Sequence, residues 1–361
     1  MRSRPAPHHL PDPNAQRSAP MAQTLKKLLP YLWQYKIRVL AALLCVVAAK
    51  VANVGVPVLL KNLVDAMTPQ PMAATTAQAA QVALVVPVGL ILAYGLLRLS
   101  TSLFTELREW VFAKATQGTT RTVALKTFRH LHALSLRFHL SRQMGGVTRD
   151  IERGVRGIES LISYTLYSIF PTLVEVALVL GILGSRFDMA FVWVTLAALG
   201  AYMAFTIGIT EWRTKFRQQA NVLDSQAHTV VVDSLLNHET VKYFNNEERE
   251  AQRYDSALLG VHAAKLKSQS TLSLLNSGQQ LIIACALVAM LYLATQGVAQ
   301  GRMSLGDLVM VNAFMIQLYI PLNFLGVIYR ELKQNTTDLE RMFTLLDENA
   351  EVQDRADAIE L

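Results

Sequence analysis

Cysteine is nearly missing from this chain. Cys45 and Cys285 are the only two among 361 residues, and both lie in apolar stretches far apart in sequence. That excludes a disulfide framework and a Cys-rich metal site. Charge is scarce as well: 17% of residues are charged, against 52% hydrophobic. A soluble domain of this length would carry more, so the composition points to a membrane protein. The histidines are scattered without ligand spacing, and His238-Glu239 is not a metal motif. No metal-ligating set and no catalytic set emerges. No apolar run precedes residue 37, so no secretory signal is expected. A phosphate loop of the form G-x-x-x-x-G-K-[ST] is also missing, so no residue pattern here can cradle ATP phosphates.

What is present is a set of six apolar blocks, near 37–60, 82–103, 160–183, 189–210, 271–296 and 305–328. Each is long enough to cross a hydrocarbon core of about 30 Å as a helix. Short stretches join the first block to the second, the third to the fourth and the fifth to the sixth. The linkers at 104–159 and 211–270 are long and polar. The net charge of +7 comes from basic residues lying between the blocks, which suits topology determinants and argues against a nucleic-acid partner. Lys26, Lys27 and Lys36 precede the first block, and both long linkers are rich in Arg and Lys. The short connections offer little beyond Lys61, Arg186 and Arg302. The positive-inside rule then places both termini and both long linkers in the cytoplasm.

Few prolines or glycines interrupt 82–138, 189–236 and 247–296, so the helices should continue past the bilayer. About fifty residues at ~1.5 Å rise give roughly 75 Å of helix. Breaks are expected at Met144-Gly145-Gly146 and around Asn237-His238 and Asn245-Asn246. The fold class is an all-α membrane protein: six transmembrane helices with long cytoplasmic helical extensions. Residues 1–24, rich in Pro, Ala, Arg and His with the single acid Asp12, read as a disordered tail. A mitochondrial transit segment is the other reading of that stretch. The six-helix domain spans 25–347.

Several polar side chains fall in or beside the apolar blocks. Arg213 and Arg217 are four apart and share a helix face, where they can clamp carboxylates or snorkel to lipid phosphates. Asn276 and Gln279 open the fifth block and need partners, through interhelical hydrogen bonds at least. Asn323, Gly326 and Arg330 form one stripe on the sixth. Gly326 allows either a ligand or another helix to come close to the backbone. Tyr202 and Phe324 are further candidates for pocket walls. Lys50 and Glu175 are intramembrane charges, read here as an ion pair in preference to a direct substrate role.

One stretch is more specific. Asp233-Ser234-Leu235-Leu236-Asn237-His238-Glu239-Thr240-Val241-Lys242-Tyr243-Phe244-Asn245-Asn246-Glu247 closely resembles the second coupling region of one branch of ABC exporters. That branch is the glutathione-linked half-transporters of bacterial and mitochondrial inner membranes. Leu275-Asn276-Ser277-Gly278-Gln279, Pro321-Leu322-Asn323-Phe324-Leu325-Gly326 and Tyr329-Arg330-Glu331 match it too. The resemblance covers roughly residues 25–350. It implies an ABC exporter type of transmembrane domain, tied in eukaryotes to iron–sulfur protein maturation and in bacteria to heavy-metal tolerance. It implies a glutathione pocket lined by Arg213, Arg217, Asn276, Gln279, Asn323, Gly326 and Arg330. Some bacterial relatives carry an acid where Asn323 stands, so a fixed negative charge for a substrate amine is missing here.

Coupling contacts are implied at Glu239, Tyr243 and Gly145. In the family a nucleotide-binding domain follows a segment like Arg341-Met342-Phe343-Thr344-Leu345-Leu346-Asp347, which makes 348–361 a linker stub before that domain. ATP and Mg would sit on the nucleotide-binding domain, and the complete protein would be an ATPase working as a homodimer in the bilayer. Its membrane is the bacterial inner membrane, or the mitochondrial inner membrane with termini in the matrix. The implied cargo is glutathione disulfide, glutathione conjugates or glutathione-linked metal or sulfur species. A lipid or drug exporter of the same architecture would have an apolar cavity instead of an arginine-rich one. A six-helix sensor or anchor would transmit ligand binding without transport.

Overall fold

The computed structural model describes residues 21–68, 87–142, 144–322 and 324–348. The tail reading of 1–24 falls largely on residues outside that set, and the linker reading of 348–361 falls outside it beyond Glu348. Asn323 lies outside the described residues as well.

Eleven α-helices and one π-turn follow in order among the described residues: α1 (Met21–Trp33), α2 (Lys36–Met67), α3 (Val88–Ala133), α4 (Leu136–Ser141) and α5 (Met144–Tyr164). The π-turn Thr165–Ile169 leads into α6 (Phe170–Arg186), α7 (Met189–Leu236), α8 (His238–Tyr243), α9 (Glu247–Ala299), α10 (Leu305–Leu322) and α11 (Leu325–Leu346). Among the described residues, six helical segments are long and apolar enough to cross a membrane: Lys36–Met67, Val88–Ala133, Met144–Arg186, Met189–Leu236, Glu247–Ala299 and Leu305–Leu346. α7 has 48 residues and α9 has 53. At ~1.5 Å per residue each is more than twice as long as a hydrocarbon core about 30 Å thick.

The boundaries have local causes. Asn237 stops α7 by turning its side-chain amide back to the Asp233 carbonyl oxygen at 2.8 Å. Asn245 takes φ 53°, a left-handed conformation that Asn tolerates, and so reverses the chain between α8 and α9. Gly301 does the same after α9 with φ +69°. Both breaks expected around Asn237 and Asn245 therefore occur. The first tip has one more break than expected. The chain breaks at Leu134-Ser135 and again after Ser141, where Arg142 is extended, so that Met144-Gly145-Gly146 opens α5 just past the second break. Ser135 is extended and its hydroxyl accepts from the Phe138 N–H, which caps α4.

The π-turn was not expected. The Phe170 N–H bonds Thr165 O, five residues back. Pro171 follows directly, and its ring would clash with a carbonyl four residues back, at Tyr167. The wider turn relieves that clash.

The chain divides into two units. One takes in the described residues up to Val56, Ile91–Val176 and those from Val327 on. Its core joins Leu28 of α1, Ala42 of α2, Phe112 and Ala115 of α3, Ile158 and Leu161 of α5, and Leu339 and Met342 of α11. Small residues let α5 approach α11 closely: a Cβ on Gly154 would lie 2.6 Å from Met342 Cβ, and one on Gly157 would lie 3.1 Å from Asn335 O. Lys50 and Glu175 belong to this unit and are paired, 2.6 Å apart.

The other unit comprises the described residues of Pro57–Leu90 and Ala177–Gly326. Here α7 packs along α9, and α9 along α10. Tyr202, Met290, Met310, Phe314 and Met315 fill its interior. Thr195 Oγ1 donates to Phe191 O at 2.8 Å and lies 3.9 Å from the sulfurs of both Met290 and Met315. Lys61 Nζ stands 3.3 Å from both Asp65 and Asp307, which fastens the end of α2 to the start of α10.

Candidate functional site

α7 carries the site's main stripe. At ~100° per residue, Tyr202, Thr206, Thr210, Arg213 and Arg217 fall within an arc of about 80°. Tyr202, Thr206 and Thr210 are buried, Arg213 is half-buried and Arg217 is exposed. The stripe thus grades from a dry interior to guanidiniums that reach water. From α9, Gln279 is buried and its amide donates to Thr206 Oγ1 at 2.9 Å. Thr206 is also hydrogen-bonded to Tyr202, one turn earlier. Each amide and hydroxyl of this trio finds a partner where bare polar groups would be costly.

Gly326 completes the group. A Cβ placed on it would lie 3.3 Å from Thr206 Cγ2 and 3.5 Å from Thr210 Oγ1. The opening of α11 therefore runs directly over the two threonines, which a larger residue would hinder. Tyr202, Gln279 and Gly326 come together around Thr206. Asn276 is exposed on α9, and Phe324 is exposed between α10 and α11. Arg330 is half-buried but belongs to the other unit.

The coupling candidates occupy helix tips. α8 has six residues, and Glu239 and Tyr243 on it are exposed, Tyr243 to 84%. Leu236 and Phe244 beside them are exposed as well. Lys242 Nζ bonds Glu247 Oε1 at 2.5 Å, and this bond holds the Glu247 carboxyl below its usual range. Glu247 is more than twenty residues from the apolar part of α9, in aqueous surroundings. Gly145 is exposed in the first turn of α5 with no neighbour near a built Cβ.

Thr206 and Thr210 were not singled out from sequence. Their signal is spacing alone: they continue the Arg213 and Arg217 face back into the apolar block.

The ABC transporter transmembrane region, as a family pattern, matches residues 39–322. The chain belongs to that family. A fungal relative, the "Iron-sulfur clusters transporter atm1, mitochondrial" of Aspergillus fumigatus, is 46% identical over 348 residues, covering 95% of this chain and 47% of the relative. The human "Iron-sulfur clusters transporter ABCB7, mitochondrial" is 41% identical over 337 residues, covering 92% and 45%. A solved structure, that of a bacterial Atm1-family ABC exporter with ATP bound, matches with TM-score 0.63 at 42% identity, covering 91% of this chain and 56% of that one. The chain spans about half the length of the curated relatives it matches. As an ABC transporter transmembrane region it is a multi-pass membrane protein.

Proposed function

We propose that this chain is the membrane-spanning part of an ATP-driven exporter whose cargo is glutathione disulfide, a glutathione conjugate or a glutathione-linked metal or sulfur species. The observation that carries the reading is the α7 stripe, where two arginines continue a buried network of Tyr202, Thr206 and Gln279. Glutathione bears two carboxylates, one amine and two peptide groups. Arg213 and Arg217 offer bidentate forks to the carboxylates. Gln279, Asn276 and Asn323 supply amides for the peptide groups. Tyr202 and Phe324 serve as walls. The naming of the relatives as iron–sulfur cluster transporters, and the bacterial Atm1-family exporter, support the same cargo class.

Two copies of the chain form the transporter, because a polar stripe of this kind needs an opposing wall. The tips at Glu239, Tyr243 and Gly145 receive a nucleotide-binding domain, which would hold ATP and Mg. The sequence contains no phosphate loop, so the residues of this chain do not themselves cradle ATP phosphates. Both termini and both long linkers face the cytoplasm of a bacterial cell, or the matrix of a mitochondrion. An arginine-bearing stripe disfavours a lipid or drug exporter, whose cavity would be apolar.

The test is ATP-dependent uptake of glutathione disulfide into inverted vesicles carrying the complete transporter. Uptake that is lost in Arg213→Ala supports the reading. Uptake of lipid or apolar drug with no glutathione disulfide transport overturns it.

A further inference from the structure

We propose that the hydroxyls of Thr210 and Tyr319 are substrate-contacting groups of the transport pathway, donors to peptide carbonyl oxygens of the cargo. The inference rests on the glutathione-type reading and adds two residues to it.

Both side chains are buried, each 5% exposed, and neither hydroxyl has a hydrogen-bond partner among the described residues. A stranded hydroxyl is a standing cost in a dry, low-dielectric interior. Threonine in a helix has a ready remedy, which is to return its proton to the carbonyl one turn back. Thr195, Thr214 and Thr229 of α7 do this at 2.8, 2.8 and 3.0 Å. Thr210 does not. Its oxygen instead faces Gly326, where a built Cβ would lie 3.5 Å away. Gly326 is one residue into α11, just past the break that follows Leu322. The hydroxyl is therefore covered by backbone at a point where the helix is already interrupted.

Tyr319 has no local remedy, because a phenol on a helix reaches outward. Its place along the seam follows from two contacts. Met315, one turn before it on α10, meets Thr195 of α7, and Gly326, beyond it on α11, meets Thr206 and Thr210. Tyr319 lies between these two points of contact with α7 in sequence. Along that seam the satisfied trio of Tyr202, Thr206 and Gln279 is accompanied by two hydroxyls that have no partner, and Arg213 and Arg217 continue the line. A peptide anion held at its carboxylates by the arginines has carbonyl oxygens to offer these hydroxyls as it advances.

The test titrates glutathione disulfide against the purified chain in detergent and records thermal midpoints. The parent is compared with Thr210→Val, Tyr319→Phe, Thr210→Ser and Arg213→Ala. Thr210→Val and Tyr319→Phe should each bind roughly two- to tenfold more weakly, the range set by one neutral hydrogen bond. Thr210→Ser should bind like the parent. The midpoints of Thr210→Val and Tyr319→Phe should equal or exceed the parent's, because an unpaired hydroxyl is removed and shape is kept. Lower midpoints with unchanged binding would mean a structural role and overturn the inference. If Arg213→Ala weakens binding while Thr210→Val and Tyr319→Phe bind like the parent, the hydroxyl inference fails and the substrate reading stands. If the parent itself does not bind glutathione disulfide, the substrate reading fails and takes this inference with it.

Discussion

Lys50 Nζ stands 2.6 Å from Glu175 Oε2, with the carboxylate side chain 2% exposed and the lysine 23%. Asn53 Nδ2 donates to the other oxygen, Glu175 Oε1, at 2.8 Å. The pair joins α2 to α6 inside the apolar zone, where either charge alone would be expensive. Replacing Glu175 by Leu should therefore destabilise the chain by about 3–5 kcal/mol, while a double replacement, Lys50→Met with Glu175→Leu, should recover most of that loss. Unfolding of the two single variants and the double in detergent gives the coupling directly. A double variant as unstable as the sum of its singles would contradict the pairing.

Two glycines should respond in opposite directions to alanine. Gly154 faces Met342, which is fully buried, and a Cβ there would come within 2.6 Å of Met342 Cβ. Gly154→Ala should lose about 1–3 kcal/mol through overpacking. Gly260 of α9 has nothing within 4 Å of a built Cβ. Gly260→Ala should gain about 0.5–1 kcal/mol, because alanine has less backbone freedom to lose. Thermal midpoints of the two variants, measured side by side, decide both claims.

The two arginines of the α7 stripe should differ in their salt response. Arg213 is half-buried and Arg217 exposed, so water and ions screen Arg217 more. Arg213→Ala should weaken glutathione disulfide binding about tenfold or more, as expected for one charge-assisted bond. Arg217→Ala should cost less, and its effect should fade as salt is raised. Titrations at low and high ionic strength check the order. A larger and salt-independent loss at Arg217 would show that the clamp is arranged differently.

At the α8 tip, Tyr243 is 84% exposed and Glu239 is exposed beside it. Neither has much packing to lose, so Tyr243→Ala and Glu239→Ala should change the stability of the purified chain by no more than about 0.5 kcal/mol. In the complete transporter the same changes should abolish stimulation of ATP hydrolysis by substrate. Stimulation equal to the parent's would remove these residues from the coupling role.

Much of the architecture is legible in one dimension because its causes are one-dimensional. Apolar run length sets the number of crossings, since backbone polar groups in hydrocarbon must be satisfied within the segment. The Asn237 and Asn245 turns are visible because asparagine tolerates conformations that end helices. The first tip was only partly legible, because the glycines at 145 and 146 mark the break beside Arg142 while the break at Ser135 carries no glycine or proline signal. The π-turn at Thr165–Ile169 was equally hidden, since a proline can widen a helix or kink it depending on its neighbours.

The site divides along the same line. The sequence by itself determined the membrane class, the six crossings and the long rods, together with a spacing that puts Arg213 and Arg217 on one face. These follow from hydropathy and helical period, which act over neighbouring residues. Only the tertiary structure decided that Gln279 bonds Thr206, that Gly326 passes over Thr206 and Thr210, and that Lys50 and Glu175 meet across 125 positions of sequence. Those pairings depend on which faces of different helices are pressed together, and the cost of an unpaired buried polar group selects among arrangements only once the helices are packed.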